Sequence, residues 1–579
     1  MKLLIVKPQI LLIGALLLLS CGEEPPIQKA MVHQNFPLHI RMKTAPDRLH
    51  PMLSKRSNAA HIEKKIFYPL LQIDPDNLKL KPLLARDFPT KSIVESGELK
   101  GDLRYKYEIL PDAEWEDGMP VTAADYLFTV KASQDPLLQG NQWKTLLESI
   151  DSVILDDQDP KAVEVLLRPG VNADIVAGNF ELYPEHHYDS LHLLRNFTLR
   201  QLKNQDLSKD SALLAFSQNF SQPDLSRNRV MGCGPYTVSK WEEQQLVLRQ
   251  KTDWWGDKHA SSSRFFKVNP GTITYHFIPD QTTSIALLKS GKIDQISDLS
   301  PSQFNRLKNS SDSARFGFYT PVSMRYYMIA MNNLNPALRA PIVRKALARC
   351  TDTKSFIDKM LEGLATPITG PIYPSKSYAI RSLQPVKYDL NAAAQMLHEA
   401  GWKDTNGDGI LDKMIQGKRI SLDFEILITG STVGKNLALL LRQDAAKIGI
   451  NIRLQPMRMS AILNKVVEGK YDLAALAFRQ SPGYDQMKQT WHSQSTSGQG
   501  KNYFFYNAPQ VDRWTDSLTI EQDTSRLNEL YHKIQRKIYE DQPVIFLCAP
   551  LERIVVSDKF RPYITPLSPG YVEEWYQFK

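Results

Sequence analysis

Residues 105–131 read YKYEILPDAEWEDGMPVTAADYLFTVK and predict a strand, a turn and a helix in close succession. Tyr105, Tyr107 and Ile109 alternate with charged residues, which is the period of a half-buried strand. The sequence EDG at 116–118 favours a tight turn. Thr122 is followed three residues later by Asp125, a capping-box pattern, so we expect a helix over residues 123–131.

Length and composition indicate a globular protein of more than one domain. The chain has 579 residues, 42% of them apolar and 23% charged. A chain of this length exceeds a single hydrophobic core, so two or three domains are expected. The net charge is +8, but Lys and Arg are spread along the chain and form no basic block. This distribution does not indicate a nucleic-acid partner.

The first residues predict a processing signal. Lys2 and Lys7 precede an apolar run over residues 10–19, which is too short to span a bilayer. Residues 18–21 read LLSC and resemble the recognition sequence of the bacterial lipoprotein signal peptidase. We therefore expect a signal peptide at 1–20, a lipidated Cys21 and a polar tether at 21–35. The alternative is an ordinary secretory signal with an incidental cysteine.

Several further segments follow in a fixed order. They read GCGPY at 232–236, TDWWG at 252–256, YDLNAAAQMLHEAGW at 388–402 and DQPVIFL at 541–547. With the opening stretch, they closely resemble the signature segments of the bacterial family 5 extracytoplasmic solute-binding proteins. These are the oligopeptide- and dipeptide-binding proteins of ABC importers. Cys233 departs from the Thr or Asn that is usual in that family.

The resemblance implies an α/β, bilobal fold like that of periplasmic binding proteins, with the ligand in a cleft between the lobes. Lobe 1 would span 36–317 with an inserted subdomain, lobe 2 would span 318–542, and residues 543–579 would return to lobe 1. Closure about the two crossings would bury the ligand. The expected partners are a peptide or peptide-like ligand, the permease subunits of an ABC importer, and a membrane reached through the lipid anchor. The protein would be a monomer outside the cytoplasm, in a periplasm or at the cell surface.

The sequence lacks the common motifs of catalysis and cofactor binding. It has no HExxH, GxSxG, P-loop, GxGxxG or CxxC pattern, so we expect neither an enzyme nor a cofactor. Two alternatives stay open. One is a surface lipoprotein that binds glycans or cell-wall fragments, and the other is an extracytoplasmic hydrolase without a recognisable motif.

Seven residues are candidates for the ligand site. Aromatic faces suit a site that grips varied apolar groups, and four aromatic residues flank the proposed crossing or the strand and loop that contact ligand in the family. The alternative is that each packs within its own lobe. The full set is Tyr326, Tyr327, Phe478, Arg479, Gln480, Asp485 and Trp491.

The charged members of this set bear on ligand chemistry. In the family, a carboxylate after a buried strand commonly pairs with the α-amino group of the peptide. Here that position falls near Gln480 or Gly483, Asp485 fits only if the loop is shifted, and Arg479 places a positive charge nearby. An inward-facing Arg479 would favour an anionic ligand, whereas an exposed or paired Arg479 would not. Blocked or anionic peptides, cell-wall fragments, glycans and metal chelates all remain open.

Three other features carry less weight. Cys233, Cys350 and Cys548 allow at most one disulfide. Residues 404–412 read DTNGDGILD and mimic the start of an EF-hand loop, but Ile415 stands where the bidentate Glu is needed, so a turn is favoured over a calcium site. His186 and His187 are a pair of possible metal ligands, but adjacent side chains diverge, so we expect no metal site there.

Overall fold

The computed structural model describes residues 35–496, 500–521 and 523–579. The predicted signal peptide, Cys21 and most of the tether lie outside the described residues. No helix in the described part of the chain is long and apolar enough to cross a membrane.

The stretch at 105–131 forms the predicted strand, turn and helix. The strand is Leu103–Glu108 and the helix is Ala123–Ser133. The Asp125 carboxylate accepts a hydrogen bond from the backbone N–H of Thr122 at 2.8 Å, which confirms the capping box. The same carboxylate accepts from the backbone N–H of Glu185 at 2.9 Å and from the Trp115 indole at 3.2 Å. This cap therefore also ties the helix to a distant segment.

The first sheet has seven strands. The central strand, Phe36–Met42, pairs in parallel with Pro270–Phe277 on one side and with Gln295–Ile296 on the other. In spatial order the strands are Phe316–Tyr319, Ile554–Ser557, Gln295–Ile296, Phe36–Met42, Pro270–Phe277, Gln245–Gln250 and Tyr236–Trp241.

A four-stranded antiparallel sheet also lies within residues 36–317. Its order is Thr90–Ile93, Leu103–Glu108, Ala162–Leu167 and Ile150–Leu155. Tyr105, Tyr107 and Val165 of this sheet belong to the same buried cluster as Ile40 and Tyr275 of the first sheet. The two sheets therefore share one continuous core.

The second large sheet has six strands and is covered on both faces. Ile329 and Met331 face one buried cluster, whereas Met328 and Ala330 face another. This alternation is the period of a strand with both faces buried. The spatial order is Ala365–Pro367, Val544–Pro550, Arg325–Met331, Leu473–Arg479, Asp423–Ile428 and Asn451–Pro456.

Helices and small hairpins complete the fold. The hairpins are Leu71–Ile73 with Leu80–Pro82, Asp412–Ile415 with Lys418–Ser421, and Phe560–Arg561 with Gln577–Phe578. The helices are Ser57–Glu63, Ala123–Ser133, Ala173–Gly178, Glu185–Tyr188, Leu199–Asn204, Ser211–Phe220, Gln281–Lys289, Pro301–Lys308, Pro341–Arg349, Thr353–Ser355, Leu390–Glu399, Thr432–Ala446, Met459–Val467, Met487–Trp491, Pro509–Ile520 and Thr524–Asp541.

The strand pairing corrects the predicted lobe boundaries. The boundary predicted at 317 falls within Phe316–Tyr319, which belongs to the first sheet. The return predicted at 543 precedes Val544–Pro550, which pairs with Arg325–Met331 in the second sheet. The chain therefore crosses between the sheets at 320–324 and at 551–553. Both crossings lie later in the chain than predicted, because pairing between strands that are distant in sequence, and not local sequence, assigns a strand to a sheet.

The minor features have local explanations. Cys233, Cys350 and Cys548 are free and buried. The Asp404 carboxylate accepts from the backbone N–H groups of Gly407 and Gly409, at 2.7 and 2.9 Å, as in an Asx turn. The two adjacent histidines separate, since His186 contacts Asp117 and His187 contacts the carbonyl of Arg229.

Candidate ligand-binding cleft

The two crossing segments run side by side and form a hinge. Val322 pairs with Leu551 in an antiparallel bridge, the N–H of Glu552 donates to the carbonyl of Pro321 at 2.8 Å, and the N–H of Ser323 donates to that of Pro550 at 3.0 Å. A short paired connection of this kind can absorb the rotation of one lobe against the other.

The lobes meet again away from the hinge. The Asn172 side-chain amide donates to the carbonyl of Tyr484 at 2.9 Å. At Gly483 an added Cβ would lie 2.1 Å from Cδ1 of Ile175, so a larger residue at 483 would require the Ile175 side chain to move. Two cavities lie near these contacts, one within the second lobe and one between the lobes.

The first cavity, here called the aromatic pocket, occupies about 430 Å³ in the second lobe. Tyr326 and Phe478 stack with ring centroids 6.1 Å apart, and Phe478 meets Tyr503 edge to face at 6.3 Å. Tyr326 and Trp491 are only 3% and 1% exposed, so they form the floor and also belong to the core of the lobe. Six of the seven predicted residues line this pocket: Tyr326, Phe478, Arg479, Gln480, Asp485 and Trp491.

Tyr327 is the predicted residue that does not line this pocket. It follows Tyr326 in the strand and therefore points to the opposite face of the sheet, where it packs against the other buried cluster. Burial raises the pKa of the Tyr327 hydroxyl.

Asp485 lies at the pocket but already has a cationic partner. The Lys376 ammonium donates to its carboxylate at 2.7 Å, and the Tyr378 hydroxyl donates at 3.0 Å. The side chains of Lys376 and Asp485 are 4% and 13% exposed. Burial raises the pKa of Asp485 and lowers that of Lys376, because each charge has lost its hydration. Sequence reasoning missed Lys376, since nothing near residue 376 signals its contact with residue 485.

Gln480 fixes the start of the loop that follows the strand Leu473–Arg479. Its side-chain amide donates to the carbonyl of Pro371 at 2.7 Å, and its backbone N–H donates to that of Met324 at 2.9 Å. These bonds extend the strand pairing by one residue and fix where the loop leaves the sheet.

The second cavity, here called the basic cleft, occupies about 640 Å³ between the lobes. It includes the carboxyl end of the central strand of the first sheet, where α/β proteins commonly bind ligands. The Arg41 guanidinium is 2% exposed and donates to the carbonyls of Ile278, Pro279 and Ser297. Arg479 lines both cavities.

Sequence reasoning found Arg479 but missed the other cations of the basic cleft. Arg41 stands among buried apolar residues of a strand, IRM at 40–42. A cation in such a strand could have indicated a functional site from the sequence alone. Lys43, Lys55, Arg56 and Arg325 are ordinary charged residues in the sequence. Only the fold brings them together.

Comparisons with known proteins agree with this architecture. The family described as bacterial extracellular solute-binding proteins, family 5 Middle, matches residues 79–501. The chain is 26% identical over 546 residues to the oligopeptide-binding protein AppA of Bacillus subtilis (strain 168), which covers 92% of this chain and 90% of that protein.

Two solved structures show the same fold. AppA from Bacillus subtilis in complex with a nonapeptide superposes with a TM-score of 0.69 and 22% identity, covering 94% of this chain and 99% of that one. NikZ from Campylobacter jejuni in complex with Ni(L-His) gives a TM-score of 0.67 and 22% identity, covering 93% and 97%. This chain therefore belongs to the family 5 bacterial extracellular solute-binding proteins, the non-catalytic substrate-binding components of ABC importers.

Proposed function

We propose that this protein captures peptides or peptide-like solutes in the cleft between its lobes and delivers them to the permease of an ABC importer. The observation that carries the proposal is a pair of cavities that share Arg479 as a lining residue. Pockets for small molecules typically occupy about 300–1,000 Å³, and the two cavities, of about 640 and 430 Å³, each fall within that range. An extended ligand can therefore lie across Arg479 with one part in each cavity.

The aromatic pocket suits side chains of a peptide. Phe478 is half-buried above a floor of Tyr326 and Trp491, so an apolar group gains contact area without displacing a hydrogen-bonding partner. The peptide named in the AppA complex supports the same ligand class, although that ligand belongs to AppA.

The proposal includes the anchor at Cys21. It rests on the lipobox-like sequence at 18–21, which lies outside the described residues. A lipid at Cys21 would hold the protein at a membrane surface on the extracytoplasmic side, close to the permease.

Native mass spectrometry of protein purified without denaturation tests the ligand class. The expected result is a retained ligand whose fragmentation gives a peptide series. A thermal-stability screen with a peptide library should then show ligand-dependent stabilisation without turnover. Protein that retains no ligand, and that no peptide in the library stabilises, would contradict the proposal.

A further inference from the structure

The basic cleft carries an excess of positive charge. Its only carboxylates among the described lining residues are Asp298 and Glu552. His61 also lines it, but burial lowers the pKa of this imidazole and Glu573 accepts its hydrogen bond. The cationic lining residues are Arg41, Lys43, Lys55, Arg56, Arg325 and Arg479.

Two of these cations are direct neighbours across the second sheet. Arg325 and Arg479 occupy opposite positions in the antiparallel pair of strands. Side chains directly opposite each other project from the same face with Cβ atoms about 4.5–5.5 Å apart, and like charges in such a pair destabilise the sheet. The protein therefore holds two arginine side chains next to each other at the edge where both strands reach the cleft.

The described residues neutralise this pair only in part. The Arg325 guanidinium lies 3.4 Å from the Glu552 carboxylate, but its Nε is buried without a hydrogen-bond partner. Arg479 is exposed to the cleft and forms no ion pair with another described residue. Arg41 is committed to three backbone carbonyls and keeps its charge beside them.

Lys43, Lys55 and Arg56 bring further charge to the first-lobe side of the cleft. All three are exposed, and none forms an ion pair with another residue of the described ranges. Arg56 donates to the carbonyl of Ala45 at 2.7 Å, which orients its guanidinium without neutralising it. Low-dielectric walls focus the field of such charges into the cleft.

We propose that the ligand carries a cluster of negative charges, as carboxylates or phosphates, which bridges Arg325 and Arg479 and faces the cations of the first lobe. This inference rests on the proposed function, because it assigns ligand chemistry to the same cleft. Guanidinium groups donate paired hydrogen bonds to both kinds of anion, so carboxylate and phosphate share the recognition chemistry. The adjoining aromatic pocket takes an apolar part of the same molecule.

Affinity measurements with the purified full chain test the proposal. The probes are two end-blocked hexapeptides that differ only in three Glu or three Gln residues, and sodium tripolyphosphate as the phosphate arm. We expect at least one of the two anionic probes to bind, and a bound Glu peptide to bind at least about tenfold more tightly than the Gln peptide. Arg479→Gln should weaken this anion binding about tenfold. The control is Arg306→Gln on the helix Pro301–Lys308, an exposed site outside the cleft, which should leave the binding unchanged.

Each outcome separates this inference from the proposed function. Preference for the Glu peptide supports both, whereas binding of tripolyphosphate alone supports the anionic cleft with a phosphate ligand and leaves peptide capture to be decided by the library screen. Equal binding of the two peptides would overturn the anionic cleft and leave peptide capture standing, and failure of both anionic probes would also overturn it. Arg479→Gln also removes a like-charge contact, so we expect the unliganded variant to melt about 1 °C higher than the wild type. A lower melting temperature would show that Arg479 stabilises the fold and would count against the proposal.

Discussion

Lys376→Met isolates the energetic role of the buried ion pair beside the aromatic pocket. The lysine ammonium lies 2.7 Å from the Asp485 carboxylate and also donates to the carbonyl of Gly483 at 2.7 Å. Loss of one partner from a buried pair costs about 3–5 kcal/mol of unfolding free energy. The Tyr378 hydroxyl still donates to the carboxylate in the variant, so we expect the lower end, about 3 kcal/mol at pH 7.

The unfolding free energy lost in Lys376→Met should depend on pH in a defined direction. Burial already raises the folded-state pKa of Asp485 above its unfolded value, and removal of the ammonium raises it further. A carboxyl group with a raised folded pKa contributes stability that is full below the unfolded pKa, about 3.9, and is lost as pH rises through the folded pKa. The difference between variant and wild type should therefore shrink as the pH falls from 7 toward 4.

Urea unfolding followed by circular dichroism at pH 7 and pH 5 measures these values. Lys447→Met is the matched control: Lys447 also lies 2.7 Å from a carboxylate, that of Asp444, but it is 51% exposed. We expect it to cost less than about 1 kcal/mol. A second variant that combines Lys376→Met with Asp485→Asn should recover most of the loss, because no buried charge remains. The reasoning is refuted if Lys376→Met costs no more than Lys447→Met, or if its cost does not change with pH.

Three further predictions concern the pocket, the core and the anchor. Phe478→Ala should weaken binding of the co-purified ligand about tenfold by loss of aromatic contact, whereas Tyr327→Ala should leave the affinity unchanged. If calorimetry shows equal effects of the two substitutions, the assignment of Tyr327 to the opposite face of the sheet is contradicted. Burial raises the pKa of Glu63 to about 8, so the protonated carboxyl stabilises the fold fully below pH 4.5, and this stability is lost as the pH rises through 8. In urea titrations at pH 5, 7 and 9, Glu63→Gln should remove this fall in unfolding free energy. An unchanged fall in the variant would show that Glu63 does not cause it. Cys21→Ser should move the protein from the membrane fraction to the soluble fraction, and retention of the variant with the membranes would contradict the lipid-anchor proposal.

The sequence by itself determined the local elements and their order. The alternation of Tyr105 and Tyr107 and the cap at Thr122 depend on neighbours within a few residues, and the structure confirms both. The segment quoted at 388–402 forms the helix Leu390–Glu399, because apolar spacing and the Asp389 cap are local properties. The ordered set of such segments was enough to indicate the family and therefore the bilobal fold.

Only the tertiary structure decided how the site is assembled. Lys376 reaches Asp485 across 109 residues, and Arg325 stands opposite Arg479 because of strand register. Register also sends Tyr326 to the pocket and Tyr327 to the opposite face. Such contacts depend on which distant strands pair and in what alignment, and no local pattern encodes a pairing partner. The sequence therefore named six residues that line one pocket, whereas the fold decided which charges meet beside it.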